Sequence, residues 1–194
     1  MTDMRGFDRA RSVSLDFDGV LSTLVLGRVW EKTRGRKKPT PFLTPAVRAV
    51  KTGIASLTEG LRRPLPRAVE AVREIRSSQR TIVLLTSRTG SRIAAAERWL
   101  LRHMGPGLFE ALFFNIEGED ADLFKARIIG THPIDVHIDD DPETLAGLSR
   151  QFPDRLFIHL NHYRRKSPSA GNIVVAAGWD EVAALFAAER PGRR

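Results

Sequence analysis

Arg11-Ser12-Val13-Ser14-Leu15-Asp16-Phe17-Asp18-Gly19 is the stretch on which the fold turns. A short β-branched and apolar strand runs into two acids and then into glycine, a chain-reversing residue. Side chains two apart on a strand point the same way, so Asp16 and Asp18 at its end face one cleft. Moving outward, 67–77 carries Val69, Val72 and Ile75 at helical spacing behind Pro64-Leu65-Pro66, and Thr81-Ile82-Val83-Leu84-Leu85 is an apolar run ending in Thr86-Ser87. The helical pattern returns over 91–104, with Ile93, Ala96, Leu100 and Met104, and Gly105-Pro106-Gly107 stops it. Leu112-Phe113-Phe114 is a second buried strand, and a helix opens near Leu123-Phe124-Lys125.

Ile134-Asp135-Val136-His137-Ile138 then ends in Asp139-Asp140-Asp141, and Asp141-Pro142-Glu143 combines an N-cap acid, proline at the first helical position and a first-turn acid. Strands at 155–160 and 173–175 and a closing helix over 180–188 complete the series. Apolar strands alternating with helices specify an α/β fold: a doubly wound, Rossmann-like, mostly parallel sheet with helices on both faces. Ligands of such sheets bind beyond the carboxyl ends of the strands.

The segment 22–59 breaks the alternation. It holds Arg28, Lys32, Arg34, Arg36, Lys37 and Lys38 against Glu31, and then an amphipathic helix from Thr44-Pro45 with Val47, Val50, Ile54 and Leu57 on one face. The division is a core of 1–21 and 60–194 with a small basic cap insertion at 22–59. The 194 residues, 42% of them hydrophobic, suffice for one good core. Cysteine is absent, which excludes a disulfide framework, thiolate metal sites and a cysteine nucleophile. No run approaches the roughly 18 apolar residues of a membrane span, and the first residues lack a signal pattern, so the expectation is a cytoplasmic protein. Net charge is +8, yet 115–143 gathers nine acids against Lys125 and Arg127. Carboxylates concentrated in a basic chain suit a cation, although a solvated loop has the same composition.

Two like charges at one strand end need a cation or a shared proton, which separates an ionised group from a protonatable one. Asp139 and Asp140 end a second strand, and if the two strands are neighbours the four carboxylates make a hard oxygen site of the kind that takes Mg²⁺. Thr86, Ser87 and Lys125 add the hydroxyls and ammonium that suit phosphoryl oxygens. Singly these signals are weak: Asp-x-Asp occurs in turns, and Thr86 has the chemistry of a cap.

Their order is the informative part. Leu15-Asp16-Phe17-Asp18-Gly19-Val20-Leu21, Leu84-Leu85-Thr86-Ser87-Arg88, Lys125 and Ile138-Asp139-Asp140-Asp141-Pro142 resemble the four-motif signature of the haloacid dehalogenase superfamily of phosphohydrolases. The resemblance covers about 11–162. It implies a nucleophile at Asp16 that forms an aspartyl-phosphate, a general acid/base at Asp18, phosphate orientation by Thr86, Ser87 and Lys125, and Mg²⁺ held by Asp16, the main-chain carbonyl of Asp18, Asp140 and Asp139. Asp141 is assigned to the helix cap. An Asp18 kept protonated by partial desolvation would serve the leaving group. The second acid of the pair favours phosphoryl chemistry over dehalogenation.

In that family an insert between the first two motifs is a cap that selects substrate, and 22–59 is a small one. Leu85-Thr86-Ser87-Arg88 and Phe157-Ile158-His159-Leu160-Asn161-His162-Tyr163 resemble segments of the 5'(3')-deoxyribonucleotidase branch, which implies a nucleotide among small phosphorylated substrates. The run from Arg34 to Lys38 also suits a phosphorylated nucleic-acid end, since phosphate contacts need only Lys and Arg. A non-catalytic basic nucleic-acid-binding module on the same fold is the rival from another class, and a receiver-like domain is a further one, disfavoured because here a double acid follows the lysine. His159 and His162 have weak metal-ligand spacing; His103, His132 and His137 read as surface or core. Trp30 anchors the insert or stacks on a base, and Trp99 and Trp179 read as core. P-loop, dinucleotide-binding and serine-hydrolase motifs are missing.

Overall fold

The computed structural model describes residues 7, 9–24 and 61–187. The insert's basic run, Trp30 and the amphipathic helix expected over 44–57 therefore lie outside the described residues. Strand β1 (Ser12–Leu15), fully buried, stands at the centre of a six-stranded sheet with β4 (Thr81–Thr86), β5 (Ala111–Phe114), β6 (Val136–Asp139), β7 (Leu156–Leu160) and β8 (Ile173–Ala176). The order is β5-β4-β1-β6-β7-β8, with every neighbouring pair parallel. The chain winds outward from β1 to β5, then crosses back to place β6 on the other side of β1. That reversal opens a crevice at the carboxyl ends of β1, β4 and β6.

Helices α1 (Ala68–Ser77), α2 (Ser91–His103) and α5 (Trp179–Ala187) share one core with Val13, Leu15, Ile82, Leu84, Val136 and Ile138. Helices α3 (Ala121–Thr131) and α4 (Pro142–Gln151) share the other, with Val83, Leu85 and Phe157. Since Val13 and Leu15 point to the first face, the alternation of a strand sends Ser14 and Asp16 to the second. Trp99 and Trp179 are core, as the helical spacing indicates; their ring N–H groups donate to the carbonyls of Arg62 (3.2 Å) and Val20 (2.8 Å).

Local chemistry sets the helix starts. Asp141 caps α4 by accepting from the Glu143 N–H at 3.0 Å, with Pro142 following, and Asp120 caps α3 by accepting from Asp122 N–H. Helix α2 begins after Gly90 at positive φ, so Thr86 is the end of β4 rather than a cap. Strand-period reading misses two short strands. Strands β2 (Ser22–Leu24) and β3 (Arg62–Pro64) pair antiparallel, Ser22 with Pro64 and Leu24 with Arg62. Three residues each, one inside the expected cap, they are too short for their pattern to stand out. The pairing sets Leu24 beside Arg62, directly after the Asp16–Asp18 turn.

Candidate active site

Strand β1 ends at Leu15, so both acids sit beyond the last ladder pair; the Asp16 N–H still donates to the carbonyl of Ile138 at 3.0 Å. Register places Leu15 beside Ile138 of β6, and Asp139 is the next residue on that strand. Asp16 and Asp139 thus project side by side toward α3. From α3, Lys125 reaches both: Nζ lies 2.5 Å from Asp139 Oδ2 and 3.2 Å from Asp16 Oδ1, with the residue only 4% exposed.

Asp139 is held by two more donors. His137 Nε2 lies 3.1 Å from Oδ2, and the Asp141 N–H donates to Oδ1 at 3.1 Å. Asp140 stands on the loop beyond β6 with its carboxylate against Gly19, at φ +77, where an added Cβ would overlap it. A residue with a side chain there is excluded twice, by the backbone and by Asp140. Asp16, Asp139 and Asp140 each offer an oxygen within 4.8 Å of the others, and they are the one such cluster among the described residues. His159 and His162 do not join it; His159 Nδ1 instead meets Ser167 Oγ at 2.8 Å.

The charges are not balanced by Lys125 alone. Burial raises Asp16 to about 7, with Lys125 opposing and Asp139 and Asp18 adding to the rise. Burial, then Asp139 and Asp16, raise Asp140 to about 8; Arg165, 3.8 Å away, is a weak counterweight. Asp139 goes the other way: burial acts against its charge, but the ammonium of Lys125 and the His137 hydrogen bond outweigh it. Lys125 is correspondingly held above its ordinary value by the two carboxylates despite its burial. His137 is pushed below the ordinary imidazole range by burial. An all-oxygen donor set with excess negative charge and no sulfur or imidazole fits a hard divalent cation such as Mg²⁺.

Asp18 departs from the sequence reading. Arg88 forks onto it, Nε to Oδ2 at 2.9 Å and Nη2 to Oδ1 at 2.8 Å, and Arg62 (2.7 Å) and Arg92 (3.3 Å) add their guanidiniums. Arg88 is 1% exposed and lies over the Phe17 ring, 4.3 Å from its centroid. Burial favours a neutral Asp18, but the three arginines prevail and hold it at about 2. The expectation of a proton kept by desolvation is corrected: the carboxyl is ionised, because charge-assisted forks outweigh partial burial. Thr86 is buried at the last position of β4, one strand from β1, and Ser87 follows it, half-buried.

The arginines and His137 escape a reading of the sequence. Arg88 does follow Thr86-Ser87, and Arg92 lies four residues on, in the first turn of α2. Arg62 arrives from beyond the insert, and nothing local announces it.

No family model matches the chain, and no curated protein matches it. Solved structures do. A haloacid dehalogenase-like family hydrolase from Streptococcus pneumoniae superposes with a TM-score of 0.62 at 13% identity, covering 91% of this chain and 98% of that one. A candidate phosphatase from Clostridium difficile gives 0.65 at 10% identity with the same two coverages. A chain of the Pnkp1/Rnl/Hen1 RNA repair complex gives 0.53 at 14%, over 78% of this chain and 42% of that one. The fold is that of the haloacid dehalogenase-like hydrolases. Its structural neighbours include dehalogenases and a candidate β-phosphoglucomutase from Thermotoga maritima beside the candidate phosphatase.

Proposed function

We propose that the protein is a divalent-cation-dependent phosphatase that hydrolyses a phosphomonoester through an aspartyl-phosphate on Asp16. The observation that carries this reading is the buried ammonium of Lys125 between Asp16 and Asp139, with Asp140 beside them, at the mouth where adjacent parallel strands diverge. Asp16 and Asp140 would hold the cation, with the Asp18 carbonyl and Asp139 next to them. Bound there, Mg²⁺ supplies positive charge to the phosphoryl oxygens. Thr86, Ser87 and Lys125 orient the same oxygens.

In the first step a carboxylate oxygen of Asp16 bonds to phosphorus as the ester P–O bond breaks. In the second, water attacks phosphorus and passes a proton to Asp18 as the Asp16 O–P bond breaks, releasing inorganic phosphate and the free carboxylate. Asp18, already an anion, suits that second step as base; to protonate the leaving oxygen in the first it must loosen from its arginines and take up a proton from solvent before the ester bond breaks. Lys125 keeps Asp16 available as a nucleophile by opposing the burial that favours its neutral form.

The substrate class we favour is a nucleotide, or a nucleic-acid end carrying a phosphate, because the insert sets Arg28, Lys32, Arg34, Arg36, Lys37 and Lys38 in sequence directly after the Asp16–Asp18 turn. Likeness in fold to a chain of an RNA repair complex is compatible with the second. The test is phosphate release from nucleoside monophosphates, sugar phosphates and a 3'-phosphorylated oligonucleotide, with Mg²⁺ or EDTA, beside Asp16→Asn and Asp18→Asn. Mg²⁺-dependent release lost in Asp16→Asn is expected. Equal hydrolysis by the parent and both variants would sink the mechanism, and salt-dependent nucleic-acid binding without any release would favour the binding module.

A further inference from the structure

Ser14 and His137 face each other in register on the two central strands, at 0% and 1% exposure. Their strand neighbours Val13, Leu15, Val136 and Ile138 are apolar, as a sheet covered on both faces demands. A buried polar pair there brings nothing to folding that an apolar pair of the same volume would not bring at lower desolvation cost. Alternation puts Ser14 and His137 on the same sheet face as Asp16 and Asp139, one residue pair deeper.

The contacts form a single chain. Ser14 Oγ lies 2.8 Å from His137 Nδ1, His137 Nε2 lies 3.1 Å from Asp139 Oδ2, and that oxygen also takes Lys125 Nζ at 2.5 Å, which in turn reaches Asp16. A carboxylate only accepts, so Nε2 carries the proton and Nδ1 is left to accept from the serine hydroxyl. With the Asp141 N–H on Oδ1, both oxygens of Asp139 are pinned and its plane cannot turn to follow the lysine. We infer that Ser14 and His137 are a buried prop that fixes Asp139 as the counter-ion of Lys125, making His137 a positioning residue for the ammonium that faces Asp16.

The kinetic part of this inference rests on the phosphatase reading; the spectroscopic part does not. The amide nitrogen of glutamine stands where Nε2 does, so His137→Gln retains the donor to Asp139, whereas the shorter His137→Asn reaches only the Ser14 side and loses that donor. In the full chain, nitrogen–proton spectra are expected to show His137 in the Nε2–H form and a slowly exchanging Lys125 ammonium. That ammonium signal should persist in His137→Gln and vanish in His137→Asn. Mg²⁺-dependent phosphate release should keep KM and lose about 10- to 100-fold in kcat in His137→Asn, the range seen when an outer partner orienting a site group is removed. His137→Gln should restore most of the rate.

An Nδ1–H tautomer overturns the inference, as does an unchanged ammonium signal or an unchanged kcat in His137→Asn. If the parent releases no phosphate from any substrate, the phosphatase reading falls, while the tautomer and the ammonium signal still decide this one.

Discussion

Replacing Lys125 by methionine keeps an unbranched stem out to Cε and removes the terminal ammonium, leaving Asp16 and Asp139 buried without the group that lies 3.2 and 2.5 Å from them. Breaking a buried pair by deleting one partner costs about 3–5 kcal/mol, because the remaining charge stays desolvated. Here two carboxylates lose one shared cation, so we expect the metal-free variant to fall within that range, a large share of a total near 5–15 kcal/mol. With a urea slope of about 2 kcal/mol per molar, the midpoint drops by about 1.5–2.5 M. Lys125 lowers the carboxyl of Asp16, so its removal lets Asp16 take up a proton more readily; the loss is therefore smaller at pH 6 than at pH 9. Mg²⁺ at 100 times its dissociation constant recovers about 2.7 kcal/mol if the cation takes over the neutralising role. A midpoint shift under about 0.5 M in EDTA at pH 8, read by urea unfolding, would refute the reasoning, since no uncompensated charge would then have been left behind.

Gly19→Ala places a methyl group into the Asp140 carboxylate at a left-handed backbone position; we expect about 1–2 kcal/mol lost to the backbone alone and markedly weaker Mg²⁺ binding by calorimetry. Parental Mg²⁺ affinity in that variant would mean that Asp140 is no ligand. Asp18, held at about 2, contributes stability that is present above its unfolded value near 3.9 and is lost as pH falls through about 2. Arg88→Met raises that carboxyl, so the gain in stability between pH 2 and pH 4 should shrink, as measured by urea unfolding across that window. Asp141→Ala removes only the cap of α4 and should cost about 1 kcal/mol without changing the rate of phosphate release. A rate loss there would place Asp141 in the chemistry.

The fold was readable because its signals are local. The apolar run 81–85 ends in β4, the pattern over 91–104 is α2 with its C-cap at Met104, and Asp141-Pro142-Glu143 starts α4 at the place its cap chemistry dictates. Even the strand ends carrying Asp16, Thr86 and Asp139–Asp140 follow from where apolar runs give way to acids and hydroxyls. Strands β2 and β3 escaped for lack of length, and their pairing joins the first residues of the insert to residues that follow it.

The protonation of the site was a different matter. Sequence spacing put Asp16 and Asp18 into one cleft and left open which would keep a proton, since the answer lies in neighbours far away along the chain, from Arg62 to Asp140. Arg62 and Arg88 converge on Asp18 and ionise it, while Lys125, Asp139 and Asp140 surround Asp16, with burial raising Asp16 and Asp140 and the ammonium holding Asp139 down. Residue types, strand periodicity and helix caps are properties of short segments, so the chain declares them one stretch at a time. The electrostatics of a carboxylate depend on every charge within a few ångströms and on the water excluded around it, and only the packing of β1 against β6 beneath α3 brings those groups together.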